Sequence, residues 1–333
     1  MRRSVAGVVP SVMGEAYCRG AIHVTAGALR PYDEPVPTLP PDIDARVQQV
    51  RTAIAGAIAS AVAGPDPEAH RETILNTPGP RWFAQDSPVR TVHSDSAMFI
   101  GGLRALLLQT LHPLAMAGVA QHSDYRNDPW GRLQRTADFI AVTTFGPADL
   151  AEATVARVRA VHEYVRGVSD EGVPYSATDP HLLRWVHIAE IDSFLTAYRT
   201  YGAGKLTPQQ ADTYVAEMAL VARKLGVPAP PLSVRGLRDQ IAMYRNETRA
   251  TPAAHDAVRF LLVQPPVQPA VMVPYALIAS AAVATLPVWA RNMLRLPWVP
   301  LIDDVVTKPV GRAIAGTIRW ATGSFTDAPT PAA

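Results

Sequence analysis

From Asp42 to Val263 one helical pattern follows another, opened by proline or a short polar residue and closed by glycine or Gly-Pro, and this punctuation confines the chain to a helical fold. No run of four or more residues alternates apolar and polar side chains between turn signals, as a half-buried strand would. The expected class is all-α, with a single large helical domain. At 333 residues, 48% of them hydrophobic, the chain can bury a sizeable core.

Residues 1–45 are broken by Pro10, Pro31, Pro35, Pro37, Pro40 and Pro41 and read as an irregular, Pro-rich N-terminal arm. A helical domain is expected over 46–323, followed by a disordered tail over 324–333. Ala, Val and Ile recur at helical spacing from Asp42 to Ala63, and Gly64-Pro65 stops them. The next helix runs from Pro67 to Leu75, and the stretch from Trp82 to Val92 is a connection. From Ser94 to Gly118 the composition is helical, but Gly101-Gly102 and Pro113 favour two close-packed helices over one rod. Further helices are expected from Pro129 to Gly146-Pro147, from Ala148 to Arg166, from Pro180 to Tyr201, from Pro208 to Leu225, from Ser233 to Tyr244, and from Pro252 to about Val263.

The formal charge of +2, from 31 basic and 29 acidic residues, gives no electrostatic reason to bind nucleic acid. Cys18 stands alone, which excludes an intramolecular disulfide and any site built from several cysteines. Arg2 and Arg3 are not followed by a clean signal-peptide pattern, so a reducing, cytoplasmic setting is expected.

Chemistry then rests on the nine histidines. Ala151, Val155, Val158, His162 and Val165 are three or four apart, so His162 shares an inward helix face with aliphatic neighbours. Leu183, His187, Ile191, Phe194 and Tyr198 make a second stripe with His187 inside it. His112 and His122 flank what reads as a short turn, with Arg126, Arg132 and Arg135 close behind in sequence. Together these imply a buried polar pocket.

No Glu-x-x-His pairing for a dinuclear carboxylate site and no His-Glu-x-x-His motif occurs. A non-haem metal site on His112, His122 and His187 is one alternative. Haem needs an axial nitrogen, an apolar slot and basic or hydroxyl groups around it, and the chain supplies all three.

The segments GLRALLLQTLHPLAMAGVAQHSDYR, DPWGRLQRTADFIAVTTFG, RVRAVHEYVRG and PYSATDPHLLRWVHIAEIDSFLTAYRTYG, in that order, resemble the family of latex-clearing rubber oxygenases and fungal MpaB-type oxygenases. The resemblance covers roughly residues 75 to 300. It implies a globin-like, helical haem b core and use of O2 on an apolar substrate, isoprenoid or lipid-like. The histidine of the RVR-x-x-His pattern, here His162, is then the proximal iron ligand. The distal pattern of the rubber oxygenases is approximated by Arg132, Arg135 and Thr136. Arg135 replaces a lysine and stays protonated, which leaves the distal position open or filled by water or His112. The acidic distal residue of those enzymes has no counterpart in LHPLAMAGVA. His187, His122 and Arg126 complete the expected cofactor environment. A haem or small-ligand binding protein without turnover is the other reading.

Between Arg259 and Arg291 no charged residue occurs. Pro274 and Pro287 break this run, and its Ala and Ser content favours a buried helix over a transmembrane one. Trp289 and Trp298 suit an interface, so peripheral membrane contact through 270–300 is a further expectation.

Overall fold

Short polar side chains start seven of the helices by accepting a backbone N–H that the first turn leaves without a partner. Asp66, Ser87, Asp128, Asp179, Thr207, Ser233 and Thr251 all do so, and Thr207 with Gln210 forms a reciprocal capping box. The computed structural model describes residues 41–64 and 66–323. Residues 1–40 of the arm expected over 1–45, Cys18 among them, and the tail over 324–333 lie outside the described residues, while 41–45 belong to the first helix.

The helices are α1 (Pro41–Ala63), α2 (Pro67–Asn76), α3 (Pro88–His93), α4 (Ala97–Gln109), α5 (Pro113–His122), α6 (Pro129–Phe145), α7 (Ala148–His162), α8 (Pro180–Tyr201), α9 (Pro208–Leu225), α10 (Val234–Met243), α11 (Pro252–Leu262), α12 (Met272–Thr285) and α13 (Val288–Met293). A short α14 (Pro300–Ile302) passes through a π-helical stretch, Asp303–Thr307, into α15 (Lys308–Thr322). The mostly helical single domain expected from the sequence is what the described residues from Ala45 onward form.

α8 runs through the middle of the core. Trp185, Ile188, Ile191, Phe194, Leu195 and Tyr198 are buried against Leu107, Leu108 and Leu111 from the α4 side and against Tyr214, Val215, Met218 and Val221 of α9. Each large apolar side chain buried this way contributes about 1.5–3 kcal/mol. α4 and α8 approach closely at Gly101, where a Cβ would meet the Phe194 ring at 3.0 Å and the Ala197 Cβ at 3.2 Å. The break foreseen at Pro113 is sharp: α4 and α5 meet at 107°.

Two local expectations need correction. α7 does not continue to Arg166 but stops at His162, and Arg166–Val168 becomes β1, paired antiparallel with β2 (Pro174–Ser176). Three-residue strands are too short to show alternation, and the turn between them depends on Gly172 at φ 79°. Gly167 is therefore no helix stop; it lets the Tyr175 hydroxyl lie against the backbone, where a Cβ would meet it at 2.8 Å. His112 and His122 also do not flank a short turn, since the whole of α5 separates them. The connection expected between Trp82 and Val92 contains most of α3.

In the C-terminal apolar segment, α12 packs Ala279, Ala281 and Ala282 against Ile100, Leu103, Ala197 and Tyr201, in line with a buried helix. Among the described residues no single helix is long and apolar enough to cross a membrane. The segment from Trp298 to Val306 is different: Trp298, Leu301, Ile302, Val305 and Val306 are exposed.

Candidate functional site

A cavity of about 70 Å³ lies where α3, α6, α7, α8 and α9 converge. Each wall follows from helical spacing. Phe139, Ile140 and Thr143 face it from α6, Leu183, Val186, His187 and Glu190 from α8, and Met218, Val221 and Leu225 from α9. His162 reaches it from the last turn of α7, and His93 from the end of α3. The two predicted inward stripes thus meet: His162 and His187 line one space.

The cavity's polar groups differ in how well they are satisfied. His93 is held on both ring nitrogens, by the Thr144 hydroxyl at 2.8 Å and the Tyr214 hydroxyl at 3.3 Å, and its ring meets Phe194 edge-on. It is a fixed wall residue. His187 is buried and its Nε2 has no hydrogen-bond partner. Buried polar atoms are almost always paired, so this unpartnered ring nitrogen stands out on the cavity wall. His162 is half-buried at the rim, where Val161 and Tyr164 beside it are exposed.

Burial governs the protonation states. It pushes His93 down to about 3 and His187 down to about 4, and it lowers His162, so all three imidazoles are neutral at pH 7 and carry free or shareable lone pairs. The same desolvation pushes Glu190 up to about 7, so this carboxyl exchanges a proton near neutrality. These shifts give stability a pH dependence. As pH falls below 6.5, the unfolded chain protonates His93 and His187 before the folded one does, so stability drops toward pH 3–4. Glu190 acts oppositely, because the unfolded carboxyl ionises from 4.5 and the folded one only near 7, which lowers stability as pH rises through that window. Glu190→Gln should therefore stabilise the fold at pH 8 by on the order of 1–3 kcal/mol, with the gap closing below pH 4.5; urea midpoints across pH test it, and equal stability of the two proteins at pH 8 would contradict it.

The other predicted residues fall in several places. Thr136 and Arg132 lie on the α6 face that continues to Ile140 and Thr143, respectively about one and two turns beyond the cavity. Arg132 is partly buried and donates to the Ser123 hydroxyl, and Thr136 donates to the Arg132 carbonyl at 3.0 Å. Arg135 turns away, 69% exposed and paired with Asp128 at 3.2 Å. Arg126 pairs with Asp256 in solvent and stacks over Tyr125 and Phe260. His122 is exposed at the end of α5, edge-on to Tyr175. His112 is buried beneath the start of α8, beside Trp185 and His181, and does not line the cavity. The trio His112, His122 and His187 is not assembled in one place.

Residues 90–320 match the family model described as "ER-bound oxygenase mpaB/B'/Rubber oxygenase, catalytic domain". The chain belongs to this oxygenase family. The match takes in every helix that lines the cavity, with α3 included from Arg90. No curated protein and no solved structure matches the chain. Membership makes this family member an enzyme of the oxidoreductase class, using O2.

The donor set suits haem: two imidazole nitrogens face an apolar slot, and the Nε2 of His187 is without a partner. The room does not yet suffice. At about 70 Å³ the cavity is well below the ~300–1,000 Å³ of sites that enclose ligands, so a macrocycle requires a wall to open. The His162 wall is the most exposed side of the cavity, because α7 ends there and Val161 and Tyr164 project into solvent. Sequence reasoning missed His93, which sits on a helix of only six residues where no periodicity can declare a face.

Proposed function

We propose that this family member is a haem b-dependent oxygenase acting with O2 on an apolar, isoprenoid or lipid-like substrate, with the haem held in a globin-like manner from His162. The observation carrying this reading is the convergence of His162 and His187, both neutral and one unpartnered, on an apolar cavity within the oxygenase-matched region. When bound, haem would supply O2 activation at its iron.

The chain's own groups have separable tasks. His162, at the rim of the cavity where α7 ends, would hold the haem iron through a ring nitrogen. His187, fixed within the α8 core, faces the same space from the opposite helix. Phe139, Ile140, Leu183 and Met218 exclude water from the slot. Arg132 and Thr136 extend the α6 face toward solvent, where an anionic propionate would find a guanidinium and a hydroxyl. Glu190 holds a proton that it can release near pH 7, at the inner end of the slot. Val186, which is both cavity-lining and 36% exposed, marks an apolar approach for substrate.

The test is spectral and then catalytic. Protein expressed with ample haem should show a Soret band with one iron per chain, and O2 consumption should rise on adding an isoprenoid alkene. A Soret band without substrate-dependent O2 uptake would reduce the protein to a haem-binding one; no Soret band would sink the reading.

A further inference from the structure

On the other side of α8's first turns lies a cluster that the cavity does not use. His181 precedes His187 by six residues, about 240° around the helix at 100° per residue, and so points elsewhere. There it meets His112, at the start of α5, and Glu247, just after the 3₁₀ turn Tyr244–Asn246 that follows α10. One ligand atom from each of the three lies within 4.8 Å of the other two.

We propose that His112, His181 and Glu247 form a binding site for one borderline divalent metal ion of the zinc class, separate from the His162 cavity. His112 is the first support. It is 3% exposed, neither ring nitrogen has a hydrogen-bond partner, and its Nε2 stands 3.6 Å from Glu247 Oε2, too far for a hydrogen bond. Buried imidazole nitrogens are almost always paired, so this ring calls for a partner.

The second support is the tautomer of His181. The Tyr244 hydroxyl donates to the His181 carbonyl oxygen at 2.8 Å, so its oxygen is free to accept from His181 Nδ1–H at 3.2 Å. That leaves the His181 Nε2 lone pair facing a carboxylate oxygen at 2.6 Å. Two acceptors at that separation need a proton or a cation between them. Tyr244, stacked on His181 with ring centroids 4.5 Å apart, fixes the ring in the manner of an outer-shell partner at metal sites.

The distances suit a small ion. Tetrahedral donors at about 2.0–2.1 Å from a metal lie about 3.3 Å from one another. The 3.6 Å pair closes slightly and the 2.6 Å pair opens, both by movement of exposed side chains, since Glu247 and His181 are 46% and 44% exposed while His112 stays fixed. Two imidazoles and one carboxylate leave a fourth position for water, as in catalytic zinc sites and open non-haem iron sites. The starts of α5 and α8 would by themselves favour an anion, and Glu247 is the anion already supplied.

Metal-free full-length protein titrated with Co²⁺ should develop visible d–d absorption bands saturating at one equivalent, and Zn²⁺ should abolish them by displacement. His181→Ala and Glu247→Ala, both surface changes, should each weaken Co²⁺ binding by about 100-fold or more, while His122→Ala binds as wild type. Absence of the bands in the wild type, or their survival at full strength in both variants, overturns the proposal. Haem uptake is read in the same variants, and it should stay at the wild-type level because neither residue lines the His162 cavity; failure here thus leaves the oxygenase reading to its own test.

Discussion

His162→Ala should fold normally and bind no haem, its Soret band absent where the wild type has one, and exogenous imidazole should restore part of it. Folding survives because His162 closes α7 at the rim and its half-buried ring leaves no partner unsatisfied when truncated. Binding does not, because the axial nitrogen ties the cofactor to the chain. His187→Ala is the paired measurement. His187 is the more deeply buried of the two, and its truncation opens a void among Glu190, Met218 and Val221, so a stability loss accompanies it. Haem retained in His162→Ala but lost in His187→Ala would move the axial ligand to α8 and overturn the assignment. Loss in both, with imidazole rescue only in His162→Ala, supports it.

What the sequence made legible is what short-range rules control. Caps at Asp66, Asp128, Asp179 and Thr207 act within four residues, so the starts of α2, α6, α8 and α9 could be read directly. The inward stripes that carry His162 and His187 are equally local, and the cavity forms where they meet. Closeness in sequence misled elsewhere. Arg135 neighbours Arg132 and Thr136 in the chain, yet it swings toward Asp128 in solvent, and Arg126 finds Asp256 instead of a cofactor. The His112 cluster was out of reach for a different reason. His181 and Glu247 are 66 residues apart, and only the packing of α10's end beside the first turn of α8 brings them together. The β1–β2 hairpin depends on one glycine with positive φ and on three-residue strands, below the length at which a period of two can be recognised.

Arg104→Ala should lower stability by ~3–5 kcal/mol, the largest loss expected from a single change away from the cavity. The Arg104 side chain is 2% exposed on α4, and its guanidinium donates to the Thr285 carbonyl at 3.1 Å, the Ser193 hydroxyl at 2.6 Å and Asp192 Oδ2 at 2.8 Å. One fork thus joins α4, α8 and the end of α12. Alanine leaves a cavity, frees the Thr285 carbonyl and strands a carboxylate that is itself only 20% exposed. Arg104→Lys keeps the charge but not the fork, and should recover only part of the loss. Pairing Arg104→Met with Asp192→Leu should cost less than Arg104→Ala alone, because no unpaired charge remains in the core. Urea unfolding of the four proteins decides the point, and an Arg104→Ala loss under about 1 kcal/mol would mean the pair behaves like a surface contact. The consequence reaches the cavity, since Asp192 and Ser193 follow Glu190 on α8: a chain that loses this fork holds His187 and Glu190 less firmly and should take up haem more weakly even where it still folds.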